Sequence, residues 1–294
     1  MKRLGIAMVL CAAAVVAGAS WASGKAEVAG DHIEDVTFTA RCDGTTQRYV
    51  VLAPEPLKDT PARDVLIALH GHGSDRWQFI HDPRDECRAA RDAARDYGMI
   101  FISPDYRAKT SWMGPRAEAD LIQIIEEVKQ RYGAGKIFLC GGSMGGTACL
   151  TFTALHPGLI DGVASMNGTA DLVAYDRFQE AIRESFGGGK DEVPDEYRKR
   201  SAVFFPERFT MPVGITAGGK DDVVPSESVV RLAETLKAAG REALLLFREE
   251  GGHETSYADG RAILDFILEK GDAQKAAAVP ACVPSPSAET SVQK

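Results

Sequence analysis

The chain has 294 residues, of which 45% are hydrophobic, 26% charged and 7% aromatic. That ordinary balance excludes a collagen-like, a bulk-disordered or a polytopic membrane protein, and the length suffices for a sizeable core. The formal charge of -8 lacks the basic excess of a polyanion binder, so no nucleic acid partner is expected.

Lys2 and Arg3 open the chain, an alanine-rich apolar run follows from Leu4 to Ala19, and Ser20-Trp21-Ala22 supplies small residues for a cleavage site. This is the pattern of a secretory signal peptide. Residues 1–22 are expected to be removed on export, leaving a secreted or periplasmic protein with no stable membrane association. Beyond them stand Cys42, Cys87, Cys140, Cys149 and Cys282. An odd count leaves at least one thiol unpaired within the chain, and spacing alone does not assign pairs.

Candidate strands are Val36–Ala40, Arg48–Ala53, Val65–Leu69, Met99–Ser103, Lys136–Cys140, Gly162–Met166, Val213–Ala217 and Ala243–Phe247. Cys42-Asp43-Gly44-Thr45 joins the first two as a leading hairpin. Val65-Leu66-Ile67-Ala68-Leu69 is apolar without alternation, as a strand covered on both faces must be. Helical patterns fill the gaps. Asp82-Pro83 offers an N-cap and a first-turn proline, with Gly98 as the stop. Leu121, Ile125, Val128 and Tyr132 share a face of the next helix. A further helix spans Thr147–His156. Val229, Leu232, Leu236 and Ala239 align between Ser226 and Gly240, and the last helix carries Ile263, Phe266 and Ile267. Such alternation predicts an α/β fold with a mostly parallel central sheet of about eight strands and helices on both faces. The folded body is expected over residues 30–270 as one domain. Residues 169–211 interrupt the rhythm, either as a small cap or as ordinary packing helices. Residues 271–294, rich in alanine, serine and proline, are expected to form a disordered tail.

The strongest local signal is Gly141-Gly142-Ser143-Met144-Gly145, a G-x-S-x-G pattern between a strand and a helix. The turn is so sharp that only small residues fit two before and two after the serine. It presents the Ser143 hydroxyl above the sheet at a helix N-terminus, where free amides stabilise developing negative charge. A hydroxyl needs a base at neutral pH. Of six histidines, His253 lies in Gly251-Gly252-His253-Glu254, just beyond the last strand, where a loop can reach Ser143 across the sheet top. The base needs a carboxylate, and Gly218-Gly219-Lys220-Asp221-Asp222 follows the penultimate strand with two candidates. The loop His70-Gly71-His72-Gly73 after the Val65–Leu69 strand can supply a second oxyanion amide, from His72 or Gly73, to join that of Met144. The H-x-H of His70 and His72 also suggests a zinc pair, but the spacing of Ser74 and Asp75 does not complete a site.

GGSMGG, the HGHG loop, GGKDDVVP and GGHET, in this order, resemble the α/β-hydrolase superfamily. From about Val65 to Leu268 the chain is similar to the prolyl oligopeptidase-like esterases, which include secreted relatives of feruloyl and acetyl esterases. The resemblance implies the α/β-hydrolase fold and a Ser143, Asp221, His253 triad. In its G-x-x-D-x-V-V-P pattern Gly218 places the acid at Asp221 and leaves Asp222 between. The same resemblance matches Met144 to the first oxyanion donor; the second is expected from His72 ahead of Gly73, and the expected hydrolysis calls for no metal or organic cofactor. It implies a serine carboxylic ester hydrolase acting on a small-molecule or carbohydrate ester. Only a short stretch precedes the first core strand, so the peptidase or amidase of this family ranks second. A non-catalytic binding protein on the same fold ranks last. Trp112 and Asn167, after strand ends, are the substrate-binding candidates.

Overall fold

Eight strands form, the inner ones where the sequence runs apolar. They are β1 (Asp31–Thr39), β2 (Thr46–Pro54), β3 (Val65–Leu69), β4 (Ile100–Pro104), β5 (Ile137–Gly142), β6 (Gly162–Met166), β7 (Val213–Gly218) and β8 (Ala243–Arg248). The helices are α1 (Gln78–His81), α2 (Asp85–Asp96), α3 (Pro115–Tyr132), α4 (Met144–Leu155), α5 (Gln179–Phe186), α6 (Pro194–Lys199), α7 (Glu227–Ala238) and α8 (Tyr257–Ala278). The computed structural model describes residues 31–54 and 63–278. The expected signal segment and Cys282 lie outside the described residues.

One sheet carries all eight strands in the order β1-β2-β4-β3-β5-β6-β7-β8. The leading hairpin pairs antiparallel along its whole length, from Asp31↔Pro54 to Thr39↔Thr46, with Gly44 at φ 74° in the turn. β2 runs antiparallel to β4, and every later pairing is parallel. Continuous apolar strands serve two cores here. Val65, Ile67 and Leu69 of β3 enter one cluster, built with α3, α4 and α7. Leu66 and Ala68 enter the other, built with α2 and α8. The expected architecture, α/β with covered strands, is therefore the observed one.

Several boundaries differ from expectation: β1 starts at Asp31, five residues before the expected Val36, and two helix ends move. The helix expected to be capped by Asp82 begins at Asp85, because Asp82 Oδ1 accepts the Arg84 amide at 2.9 Å in a turn ahead of it. The last helix passes the expected limit at 270 and continues to Ala278. Gln274-Lys275-Ala276-Ala277-Ala278 is a run of strong helix formers, and their propensity favours continuing the helix. Residues 169–211 form α5, α6 and two short 3-10 turns between β6 and β7. Their Ile182, Phe186, Tyr197 and Phe209 join the α3–α4–α7 core. The four described cysteines, Cys42, Cys87, Cys140 and Cys149, carry free thiols, and all but Cys42 are buried.

Arg200, just past α6, is fully buried. Its guanidinium donates to Met113 O at 2.8 Å, to Glu118 at 2.7 Å and to Glu196 at 3.2 Å. This pins the insertion to α3 and to the turn at Trp112 and Met113, which sit at φ 43° and 54°. Non-glycine residues hold such angles only where their surroundings fix them.

The crossing of β5 into α4 is the tightest point of the fold. A Cβ on Gly145 would stand 1.9 Å from Leu69 O, whereas one on Gly142 would meet only Glu86 Cγ at 3.8 Å. Gly145→Ala should therefore destabilise the protein by about 3 kcal/mol, with backbone on the clashing side, and Gly142→Ala by less than about 1 kcal/mol. Urea unfolding of both variants measures the contrast, and equal midpoints would refute it.

Candidate active site

β5 delivers Ser143 to the carboxyl edge of the sheet, and α4 leaves at once. Ser143 has φ 57° and ψ -120°, a strained pair for a residue with a side chain. Hydrogen bonds hold it there: its amide donates to Met166 O at 2.8 Å, and its carbonyl accepts the Thr147 amide at 3.0 Å. The hydroxyl thus projects off the sheet over the start of α4.

The β8–α8 loop brings His253 to it. His253 Nε2 lies 2.9 Å from Ser143 Oγ, and Nδ1 lies 2.7 Å from Asp221 Oδ2. Of the two candidate aspartates, Asp221 makes this contact, and Asp222 is exposed to solvent. The Asp221 side chain is only 1% exposed. Its other oxygen accepts the amides of Val223 at 3.0 Å and Val224 at 2.8 Å, so the carboxylate is fixed from both sides. With Nδ1–H given to Asp221, Nε2 is left as the acceptor that can take the hydroxyl proton. The glycines around the loop permit the approach: a Cβ on Gly218 would meet Gly252 O at 2.2 Å.

Two amides can receive an oxyanion. Gly73 N–H is committed to Lys109 O at 2.7 Å and Gly71 N–H to Gln78 Oε1 at 2.7 Å. The amides of His72 and Met144 have no acceptor among the described residues. Of the two candidates in the β3 loop, His72 is thus the one left to donate. Tyr106 braces the same loop by donating its hydroxyl to His70 O at 2.6 Å. The two imidazoles of the H-x-H pair serve separate partners. His70 is fully buried between Gly71 O and Asp105 O, while His72 Nδ1 accepts the Trp112 indole N–H at 3.1 Å. Burial pushes both imidazoles below their ordinary pKa, which favours the neutral His72 that can accept from Trp112.

The substrate-binding expectations fare differently. Trp112 is fully buried and contacts the rings of His72, Tyr175 and Phe178. It cannot stack on a substrate, and its position behind the loop makes it a support for His72. Asn167 does border the cavity, but its side chain also works inward. Nδ2 donates to Gly252 O at 3.3 Å and to Asp221 Oδ2 at 3.4 Å, and Oδ1 accepts from Thr255. Its φ of 50° is one that asparagine tolerates. Sequence reasoning missed Gln78, Arg84, Glu86, Phe178 and Glu254, which line the cavity of about 480 Å³ over Ser143. Gln78 comes from α1, Arg84 and Glu86 from the start of α2, Phe178 from the insertion, and Glu254 follows His253 in the β8–α8 loop; no local pattern marks the first four.

A strained serine between β5 and α4, a histidine after β8 and an acid after β7, on a sheet of this order, define a serine hydrolase of the α/β-hydrolase fold. A profile of the prolyl oligopeptidase family matches residues 98–272, and the chain belongs to that family. Among solved structures, it is similar to FphF, a fluorophosphonate-binding serine hydrolase of Staphylococcus aureus, with TM-score 0.61 and 17% identity over 81% of this chain and 98% of FphF. A ferulic acid esterase gives TM-score 0.61 and 14% identity over 82% and 98%. Puromycin hydrolase gives 0.67 and 20% over 87% of this chain, which spans 41% of that enzyme. No curated protein matches the sequence.

Two substitutions test the site. Asp221→Asn should slow fluorophosphonate labelling of Ser143 on the order of 10³–10⁴-fold, and Asp222→Asn should leave it within about twofold. Equal effects would remove Asp221 from the relay. Trp112→Phe keeps the ring but drops the indole N–H. It should lower kcat about tenfold with KM little changed, as expected when an oxyanion donor is loosened and not lost. A raised KM at constant kcat would assign Trp112 to substrate binding instead.

Proposed function

We propose that the protein is an exported serine hydrolase that cleaves carboxylic esters, with the acyl group carried on a carbohydrate. The observation that carries this reading is the Asp221–His253–Ser143 relay opening onto a cavity lined by Gln78, Arg84, Glu86, Asn167 and Glu254. Of these, Arg84, Glu86 and Glu254 offer charged donors and acceptors suited to a hydroxyl-rich alcohol. The export signal read in residues 1–22 suits an enzyme that meets its substrate outside the cytoplasm.

In the proposed mechanism, His253 Nε2 takes the Ser143 proton as Oγ attacks the ester carbonyl carbon. The carbonyl oxygen becomes an oxyanion facing the amides of Met144 and His72. Asp221 stabilises the imidazolium. The C–O bond to the alcohol breaks as His253 returns the proton to the departing oxygen. A water, deprotonated by His253, attacks the acyl-serine, and the collapse of the second oxyanion frees the acid and restores Ser143. The balance is ester plus water giving acid plus alcohol. A second reading, amide or peptide hydrolysis, is favoured by the likeness to puromycin hydrolase and to acylaminoacyl peptidases. FphF and the ferulic acid esterase are matched over 98% of their own length, against 41% for puromycin hydrolase and an acylaminoacyl peptidase, which supports the ester reading.

A panel of p-nitrophenyl acetate, acetylated xylan, feruloyl esters and aminoacyl amides tests this. Esters should be cleaved faster than amides, and Ser143→Ala should lose at least about 10⁴-fold in kcat. Wild-type turnover by Ser143→Ala refutes the mechanism. Faster amide cleavage replaces the ester reading with the second one.

A further inference from the structure

The cavity over Ser143 is the first of three that adjoin one another. A second, of about 360 Å³, shares His72 and Phe178 with it. A third, of about 440 Å³, shares Thr110 and Glu184 with the second. One wall of the series is Phe178 and α5, from the insertion between β6 and β7. The other is the loop after β4, with Arg107 and Thr110, followed by the first turn of α3 at Arg116.

We infer that the three hollows form one groove that holds a linear carbohydrate chain, with the acylated unit at Ser143 and the chain running past Phe178 towards α3. This rests on the ester reading and deepens it by giving the substrate a length and a direction. Four observations carry it. The hollows are contiguous through shared residues. At their first junction the His72 and Phe178 rings pack against each other with centroids 4.5 Å apart, and the 36% of Phe178 that stays exposed gives the rim an apolar surface of the kind a sugar ring covers. Glu180 and Glu184 line the groove together with Arg107 and Arg116. Arg107 is held by Asp43 and Asp120, which leaves Arg116 to set against Glu180 and Glu184, so the groove lacks the basic surplus that a polyanionic chain would need. Finally, the second and third hollows are lined by loops and helices, while the open sheet edges, β1 and β8, lie at the ends of the sheet order. A peptide would find no strand edge there to extend.

The test is calorimetric titration of the Ser143→Ala protein with linear xylo- and cello-oligosaccharides, from disaccharide to hexasaccharide. Capped oligopeptides of matching length form a parallel series. Affinity should rise about tenfold across one sugar series and then level off. Glu184→Trp in the same background, at an exposed helical position, should fill the second junction and remove the gain of the longer chains. Arg116→Ala, also exposed, should trim the gain of the longest ones. Equal affinity for short and long sugars overturns the groove, as does a length effect that survives both substitutions or one confined to peptides. Binding needs no turnover, so the two readings fail separately. Length-dependent binding without ester cleavage leaves the groove and removes the esterase, and ester cleavage with a flat series does the reverse.

Discussion

The serine turn between β5 and α4 constrains everything around it. Ser143 is held at a positive φ because α4 must leave the sheet within one residue of the strand end. That geometry brings Gly145 so close to Leu69 O that no side chain fits, and it locks α4 against the end of β3. The residue after Leu69 begins the loop that carries His72. The close contact therefore fixes the distance between the Met144 amide at the head of α4 and the His72 amide at the end of β3. Strain of about 1–3 kcal/mol at one serine is the local cost, and the Met166 and Thr147 hydrogen bonds offset part of it.

The loop after β3 has little to hold itself, and long-range contacts do that work. Gln78 takes the Gly71 amide, Tyr106 takes the His70 carbonyl, Lys109 takes the Gly73 amide, and Trp112 grips the His72 ring. Trp112 sits in a strained turn that Arg200 fixes from the insertion side. An unpaired buried guanidinium is very costly, so Arg200 must keep Glu118, Glu196 and Met113 O together. The insertion is in this way part of the support behind the oxyanion loop as well as a wall of the cavity. The two alternatives for residues 169–211, a cap or packing helices, describe two faces of one element.

How much of this the sequence made legible follows from the range of the interactions. The inner strands stood out because a strand covered on both faces must be apolar throughout, and that pattern is local; β1, whose burial alternates along an edge of the sheet, was legible only from Val36 onward. Ser143 stood out because its turn demands glycines at fixed offsets. His253 followed from glycines that let the β8 loop fold back. Asp221 was separable from Asp222 only through resemblance to a known pattern, since neighbouring aspartates look alike until the backbone aims one of them. Trp112 misled for a physical reason: a large aromatic after a strand end suits a binding site and a buried brace equally. Arg200 and Gln78 carried no signal, because their partners lie far away in the chain. The alanine-rich end of α8 was read by its prolines and serines further on, although its alanines favour helix.

His72 connects the loop after β3 to the wall of the cavity. Its amide and its ring have separate tasks: the amide is the one proposed to receive the oxyanion, and the ring lines both the Ser143 cavity and the hollow beside α5. The indole N–H of Trp112 can bond Nδ1 only while that nitrogen is unprotonated, and burial keeps the ring neutral. The proton of the neutral ring then sits on Nε2, leaving a donor at the edge of the cavity. A substituent that displaced the ring would also disturb the amide on the same residue. Substrate fit along the groove and stabilisation of the oxyanion are therefore coupled through one side chain, so a poor ligand would be penalised in turnover as well as in binding.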